Sequence, residues 1–358
     1  MELPIKGRGA VSNRPSRYLR HYELPDACAL DWDPATDEAA APRHPATVLR
    51  LEQARSIISR NTAPDVPFNQ SINPYRGCEH GCIYCFARPT HAYLDHSPGL
   101  DFETILYAKA NAVALLDAEL RRPGYRPETI HLGANTDPYQ PIERDQRLTR
   151  AILEKLLEFG HPVTVLTKSA LVERDVELLA ELARGGLVRV RLSITTLDRE
   201  LKRSLEPRAA SPAARLRAIS TLSAAGIPTG VMVAPVIPGV TEGELEAILE
   251  AAARAGATRA GWILLRLPLE VSKLMREWLA THRPLAAKRV MALVRDTRGG
   301  RDYDARFGTR RRGEGPYAAL LAQRFRYAAR RLGLVTTEAD ELGSEQFRVP
   351  GQQQLSLL

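Results

Sequence analysis

Gln70-Ser71-Ile72-Asn73-Pro74-Tyr75-Arg76-Gly77-Cys78-Glu79-His80-Gly81-Cys82-Ile83-Tyr84-Cys85 joins a short β-prone run to a loop that holds three of the chain's four cysteines. The spacing Cys-x-x-x-Cys-x-x-Cys lets a single loop wrap three thiolates around one iron–sulfur cluster, whereas ordinary ferredoxin-type sites use four. A closed zinc site also wants four ligands, in paired spacing. The chain has no second cysteine pair, which leaves His80 or the distant Cys28 to complete such a site. The position of the loop, directly after a strand, suits a (β/α) barrel, where active sites lie beyond the strand C-termini.

Outward from this loop the pattern is regular. Short apolar, β-branched runs at residues 70–73, 129–133, 163–167, 188–195, 229–234 and 261–265 alternate with amphipathic stretches, as βα units do. Gly185-Gly186 is expected to end the helix carrying Val176, Leu179 and Leu182. Thr241 and Glu244 read as a capping box ahead of Leu245, Ile248, Leu249 and Ala252. Six parallel strands with crossover helices follow, either open and doubly wound or curved into an incomplete barrel; periodicity does not separate the two. Residues 1–65, with Pro25, Pro34, Pro42, Pro45 and Pro64 and no sustained period, read as an irregular extension. The expected organisation is that extension, a barrel over 66–270, a basic helical and looped extension over 271–345, and a tail over 346–358.

The 358 residues, 44% of them apolar, suffice for a large buried core. No apolar run has membrane-spanning length, and residues 1–10 lack a secretion signal's apolar stretch, so a cytoplasmic protein is expected. Three crowded cysteines in a reducing compartment point to metal rather than disulfides. The net charge of +8 is uneven: residues 271–330 hold fifteen Lys or Arg against five acids. Such a local field suits a polyanionic partner, nucleic acid above all.

The three-cysteine loop, with Tyr84 as the aromatic before the last cysteine, resembles the radical S-adenosylmethionine (SAM) superfamily signature. The wider segment, from Asn73-Pro74-Tyr75-Arg76-Gly77 through Phe86-Ala87-Arg88-Pro89-Thr90-His91, is similar to the branch containing spore photoproduct lyase and DNA repair photolyase-like proteins. The resemblance spans about residues 69–267 and implies an α/β fold with a partial (β/α)6 TIM-type barrel. It also implies a 4Fe-4S cluster on Cys78, Cys82 and Cys85, with one iron left to bind the amino and carboxylate groups of SAM. One electron then cleaves SAM to a 5′-deoxyadenosyl radical, the protein's part being to bind, orient and exclude water.

The strand ends should then converge on that cluster. Asn135, Thr136 and Asp137 follow the second strand, where the resemblance implies acceptors for the SAM ammonium. Lys168 and Ser193 end the third and fourth strands and match positions that contact SAM, the lysine at its carboxylate. Ala234 and Pro235 match the segment that receives the adenine, and Arg266 ends the sixth strand, facing SAM or substrate. Glu206-Pro207-Arg208 and Arg174-Asp175 recur in the branch, and ion pairs that hold loops explain them as well as chemistry does. A lone His91 reads as structural.

The expected function is hydrogen abstraction from nucleic acid, including repair of a DNA lesion, with flavodoxin or ferredoxin as electron donor. The alternatives are radical SAM modification of RNA or a peptide, and an iron–sulfur redox sensor that binds nucleic acid without catalysis. Photoproduct lyases return hydrogen from a cysteine downstream of the cluster, and here no cysteine follows Cys85; Tyr93, Tyr139 or Tyr303 would have to serve. Arg298, Arg301, Arg310, Arg311 and Arg312, in glycine-rich surroundings, suit a phosphate-contacting loop. Gln354-Leu355-Ser356-Leu357-Leu358 resembles the short peptide by which bacterial DNA enzymes dock on the sliding clamp.

Overall fold

Strands whose alternate residues are Val, Ile and Leu form one seven-stranded sheet, and their order settles the topology. In the computed structural model, which describes residues 5–18, 46–336 and 342–351, the order is β10-β9-β8-β7-β6-β3-β2. The strands are β1 (Val48–Glu52), β2 (Ile58–Arg60), β3 (Gln70–Ile72), β4 (Tyr75–Arg76), β5 (Ile105–Lys109), β6 (Ile130–Leu132), β7 (Val163–Thr167), β8 (Val188–Ser193), β9 (Thr229–Val236) and β10 (Arg259–Leu264). Six of them, β3 and β6 to β10, pair in parallel in chain order, each step crossing over through a helix. A doubly wound sheet reverses direction from its first strand; this one winds one way, as a barrel does. No pairing joins β10 to β3 or β2, so the barrel is incomplete.

The period-2 alternation places two kinds of residue on two faces. Ile130, Leu132, Val163, Val165, Val188, Val190, Val231, Val233 and Trp262 pack outward against the helix faces of Ile152, Leu156, Leu179, Leu182, Ile219, Ile248 and Leu249 in the main core. The other register points inward and carries Leu166, Ser193, Met232 and Ile263 at the strand C-terminal end. The helix Val176–Arg184 does stop at Gly185, and Gly186 takes the left-handed φ of +66°.

Three features differ from the sequence-based expectations. Strands β1 and β2 lie within the stretch read as irregular: β1 pairs in parallel with β5, which pairs with β4, and β2 lies antiparallel to β3. β1 has no buried residue, with Val48 and Leu51 exposed, and three-residue β2 buries only Ile58, so neither shows the alternation of a core strand. The capping box does not form. Thr241 Oγ1 accepts from Ile237 N at 2.9 Å, while Glu244 accepts from Thr196 Oγ1 and Leu197 N, both at 2.6 Å. Partners from the loop after β8 thus claim the carboxylate that a local reading assigns to the helix end.

The third difference concerns the basic C-terminal region. Helices Glu270–His282 and Ala287–Asp296 bury Leu274, Met275, Trp278, Val290 and Met291 against Ile83, Leu201 and Leu205, beneath the cysteine loop. Helix Gly315–Arg331 packs Leu321 and Phe325 into the main core. Between them, Arg310 pairs with Asp65 (Nε to Oδ2 2.7 Å), Arg311 donates to Asp65 O, and the Arg312 guanidinium lies 5.1 Å from the Trp262 ring centre. Asp65 lies in the β2–β3 connection at one end of the sheet and Trp262 in edge strand β10 at the other, so neighbouring arginines contact both ends. Arg298 is buried and donates to Leu265 O at 2.8 Å and to Thr309 O. Of the arginines assigned to a phosphate loop, Arg298 is buried, Arg310, Arg311 and Arg312 are half-buried with the partners above, and Arg301 is exposed. Cys28 and the 354–358 tail lie outside the described residues.

Candidate active site

The cysteine loop is held from behind by one buried arginine. Arg88 donates from Nε to Cys82 O (2.9 Å), from one terminal nitrogen to Pro98 O (3.0 Å) and Gly99 O (2.9 Å), and from the other to Gly81 O (3.1 Å) and Glu103. Both Arg88 and Glu103 are fully buried. Glu103 in turn accepts from Gly9 N and Ala10 N, each at 2.9 Å, which straps the N-terminal segment against the loop. The contact is close enough to demand glycine on both sides. A Cβ on Gly9 would lie 1.9 Å from Gly81 O, and Gly81 has φ +67° with Glu103 2.6 Å from its would-be Cβ. Cys78 N donates to Phe102 O (2.9 Å) and Ile83 N to Leu205 O (3.0 Å), so the loop's path is set by backbone as well.

Cys78, Cys82 and Cys85 all line one cleft at the C-terminal end of the strands, about 870 Å³ counted to its open mouth. Among the described residues no group of three or more His, Cys, Asp or Glu is set to hold a single metal ion. Burial pushes the Cys82 thiol up to about 12, with Glu206 adding to the effect, while Lys168 and Arg215 oppose it. Burial and then Asp137 raise Cys78. The thiolates need positive charge to form, as cluster iron would supply.

The residues singled out at the strand ends share this cleft: Asn135, Thr136 and Asp137 beyond β6, Lys168 beyond β7, Ser193 in β8, Ala234 and Pro235 in β9, and Arg266 beyond β10. Their hydrogen bonds show which are already committed. Asp137 accepts from Thr167 Oγ1 (2.6 Å), Tyr139 N (2.9 Å) and Lys168 N (2.7 Å), and His80 Nδ1 lies 3.3 Å away. Burial works against its charge, but His80, Thr167 and the Lys168 N–H together hold it below the usual carboxylate range. Thr136 donates to Tyr75 O (3.0 Å). Lys168 Nζ donates to Ser193 Oγ (2.7 Å), Ala234 O (2.9 Å) and Thr195 Oγ1 (3.2 Å), and lies 3.1 Å from Glu206. The Arg266 guanidinium stacks 4.7 Å from the Phe86 ring centre, forming part of the wall.

Sequence reasoning set Glu206 aside, yet it is fully buried behind the cleft and bonded to Tyr84, Thr195, Arg215 and Lys168. Its place three residues before Ala209, in the turn after Arg199–Leu205, carried no periodic signal. The tyrosines considered as hydrogen donors lie elsewhere. Tyr139 donates to Asp175 at 3.0 Å, Tyr93 is 66% exposed and stacks on Tyr18, and Tyr303 does not line the cleft; Tyr84 does. His91 is buried against Phe102, and burial drives it down to about 4.

The radical SAM superfamily profile matches residues 72–252, half of the chain. An uncharacterized protein of Mycobacterium tuberculosis (strain ATCC 25618 / H37Rv) is 44% identical over 235 residues, 65% of this chain and 69% of that one. A radical SAM Nalpha-GlyT isomerase of Pseudomonas phage M6 is 26% identical over 193 residues, 53% of this chain and 38% of that one. Among solved structures, spore photoproduct lyase complexed with dinucleoside spore photoproduct superposes with a TM-score of 0.55 at 18% identity, covering 80% of this chain and 81% of that one. The chain belongs to the radical SAM superfamily and is an enzyme of that class. Its cofactors are a 4Fe-4S cluster and SAM, the latter bound in a related lyase structure of TM-score 0.53 and 18% identity. No described helix is long and apolar enough to cross a membrane.

Proposed function

We propose that Cys78, Cys82 and Cys85 ligate the cluster and that the cleft holds SAM against it for hydrogen abstraction from nucleic acid. The observation that carries this reading is the shared cleft: three thiols from one loop and residues from five successive strand ends line one cavity. When bound, the cluster and SAM supply a 5′-deoxyadenosyl radical. The chain's own residues bind and orient. Lys168, held by Ser193, Thr195, Ala234 and Glu206, exchanges one of these partners to offer its ammonium to the SAM carboxylate. With Asp137 saturated by three donors, Asn135 offers the nearest uncommitted side-chain acceptor for the SAM ammonium, and Asp137 orients His80 and the loop. Ala234 and Pro235 present backbone and an apolar surface to the adenine, and Phe86 with Arg266 closes the side toward substrate.

A lysine that makes a charge-assisted bond to a ligand contributes about 1.5–3 kcal/mol. Lys168→Ala is therefore expected to weaken SAM binding roughly 10- to 100-fold in equilibrium dialysis with the iron content unchanged. An unaltered affinity places the SAM carboxylate elsewhere.

Nucleic acid as the substrate class rests on the basic region and on likeness to a lyase solved with a dinucleoside photoproduct. No cysteine follows Cys85, Tyr93 and Tyr139 do not line the cleft, and the hydroxyl of Tyr84, which does, is committed to Glu206, which favours return of the abstracted hydrogen from 5′-deoxyadenosine over a separate side-chain donor. The test is anaerobic incubation of reduced enzyme and SAM with irradiated DNA, undamaged DNA, RNA or peptide, following 5′-deoxyadenosine. Stimulation by DNA alone supports the reading; stimulation by RNA or peptide replaces it, and no SAM cleavage at all indicates a redox sensor.

A further inference from the structure

A carboxylate buried among cations beside the cysteine loop has no part in the chemistry described so far. Glu206 and Arg215 are each 1% exposed at the side chain. One Glu206 oxygen accepts from Thr195 Oγ1 (2.7 Å) and the Tyr84 hydroxyl and faces Lys168 Nζ at 3.1 Å; the other accepts from Arg215. Arg215 is anchored independently by Ser193 O (2.7 Å) and Ala210 O (3.0 Å). Lys202, one helical turn away and 8% exposed, donates to Pro207 O at 3.3 Å. Of these residues flanking Cys82 and Tyr84, Lys168, Arg215 and Lys202 are cations and Glu206 is the anion set among them.

Burying such a group is costly. Each ion loses several kcal/mol of hydration, and an apolar replacement of the whole set is often no less stable. Lys168 is needed free to meet a ligand carboxylate, so it does not require a permanent counter-ion for its own task. Glu206 is placed to cancel the charge of Lys168, Arg215 and Lys202 beside the loop. Without it, Lys168, Arg215 and Lys202 would stand uncompensated against whatever the cysteines hold, and nearby positive charge makes a cluster easier to reduce and a weaker reductant.

We propose that Glu206 is a positioning residue that sets the reduction potential of the cluster: held by Arg215, it offsets the cations around Cys82 and keeps the potential low enough for the reduced cluster to act as a strong reductant. The inference rests on ligation by Cys78, Cys82 and Cys85. Arg215 keeps Glu206 paired when Lys168 turns to a ligand, so occupancy of the cleft leaves the carboxylate neither stranded nor free to move.

The test is a redox titration of anaerobically reconstituted protein followed by electron paramagnetic resonance. Glu206→Gln keeps shape and removes charge. It is expected to move the midpoint in the positive direction, raising the reduced-to-oxidised ratio at fixed potential by about tenfold, on the order of one unit charge roughly 10 Å away at an effective dielectric near 20. Glu206→Asp, which keeps the charge, is expected to retain most of the wild-type midpoint. Lys202→Met removes a cation without touching Glu206 and is expected to shift the midpoint the opposite way, which keeps the idea testable if the glutamine variant fails to fold. Iron-replete Glu206→Gln and Lys202→Met proteins with the wild-type midpoint overturn the proposal. Wild-type protein that takes up no 4Fe-4S cluster overturns the ligation reading instead.

Discussion

Alanine at any one of Cys78, Cys82 or Cys85 is expected to leave a folded protein that retains less than a third of the reconstituted iron and releases no detectable 5′-deoxyadenosine. The fold should survive because the loop does not depend on the thiols for its path. Arg88 holds two of its carbonyls, Glu103 fixes the strap behind it, and Ile83 N is bonded to Leu205 O. Activity should vanish because three thiolates are the minimum that leaves one iron open while the others stay bound. Iron and sulfide analysis with circular dichroism separates the two effects. A variant that keeps full iron and cleaves SAM shows that the missing thiol is not a ligand.

The second large effect is expected from Arg88→Ala. Arg88 spends all three guanidinium nitrogens on four carbonyls and one carboxylate, with no exposure to solvent. Removing it takes away the closest cation from Glu103, a buried charge left with the N–H donors of Gly9 and Ala10 and the charge of Arg8. Breaking a buried pair from one side costs about 3–5 kcal/mol. Urea denaturation should show a loss of that size, and the loop, freed at Gly81 and Cys82, should take up iron poorly even well below the unfolding midpoint. Arg88→Lys should recover only part, since one ammonium does not reproduce the planar fork. Stability and iron uptake within error of wild type would show that the clamp is dispensable.

How far the sequence reveals this architecture depends on whether each feature is local. The six parallel strands are legible because Val, Ile and Leu recur in short runs with helical stretches between, and burial on the outer face requires that pattern. The cysteine loop is legible because its ligands are neighbours in the chain. Strands β1 and β2 are not: β1 is exposed and gains its pairing from β5, more than fifty residues on, and β2 buries only Ile58. Glu244 looks like a helix cap until Thr196 and Leu197, nearly fifty residues earlier, take its oxygens.

Charge is the feature read least well. A run such as Arg310-Arg311-Arg312 gives its sign but not its partner, and the partner here is Asp65, more than two hundred residues away. The same holds for Glu206, whose four partners come from four separate segments. Strand-end residues are found more readily because barrel geometry brings them to one place whatever their type. It does not say which are free: Asn135 and Asp137 lie two positions apart, and three donors already occupy the aspartate.

The most direct measurement is an electron paramagnetic spectrum of the reduced, anaerobically reconstituted protein before and after SAM is added. A 4Fe-4S signal that changes shape with SAM, followed by 5′-deoxyadenosine in the mixture, is what an open iron facing the cleft predicts. A protein that binds zinc in place of iron, or a cluster whose signal is indifferent to SAM, contradicts it.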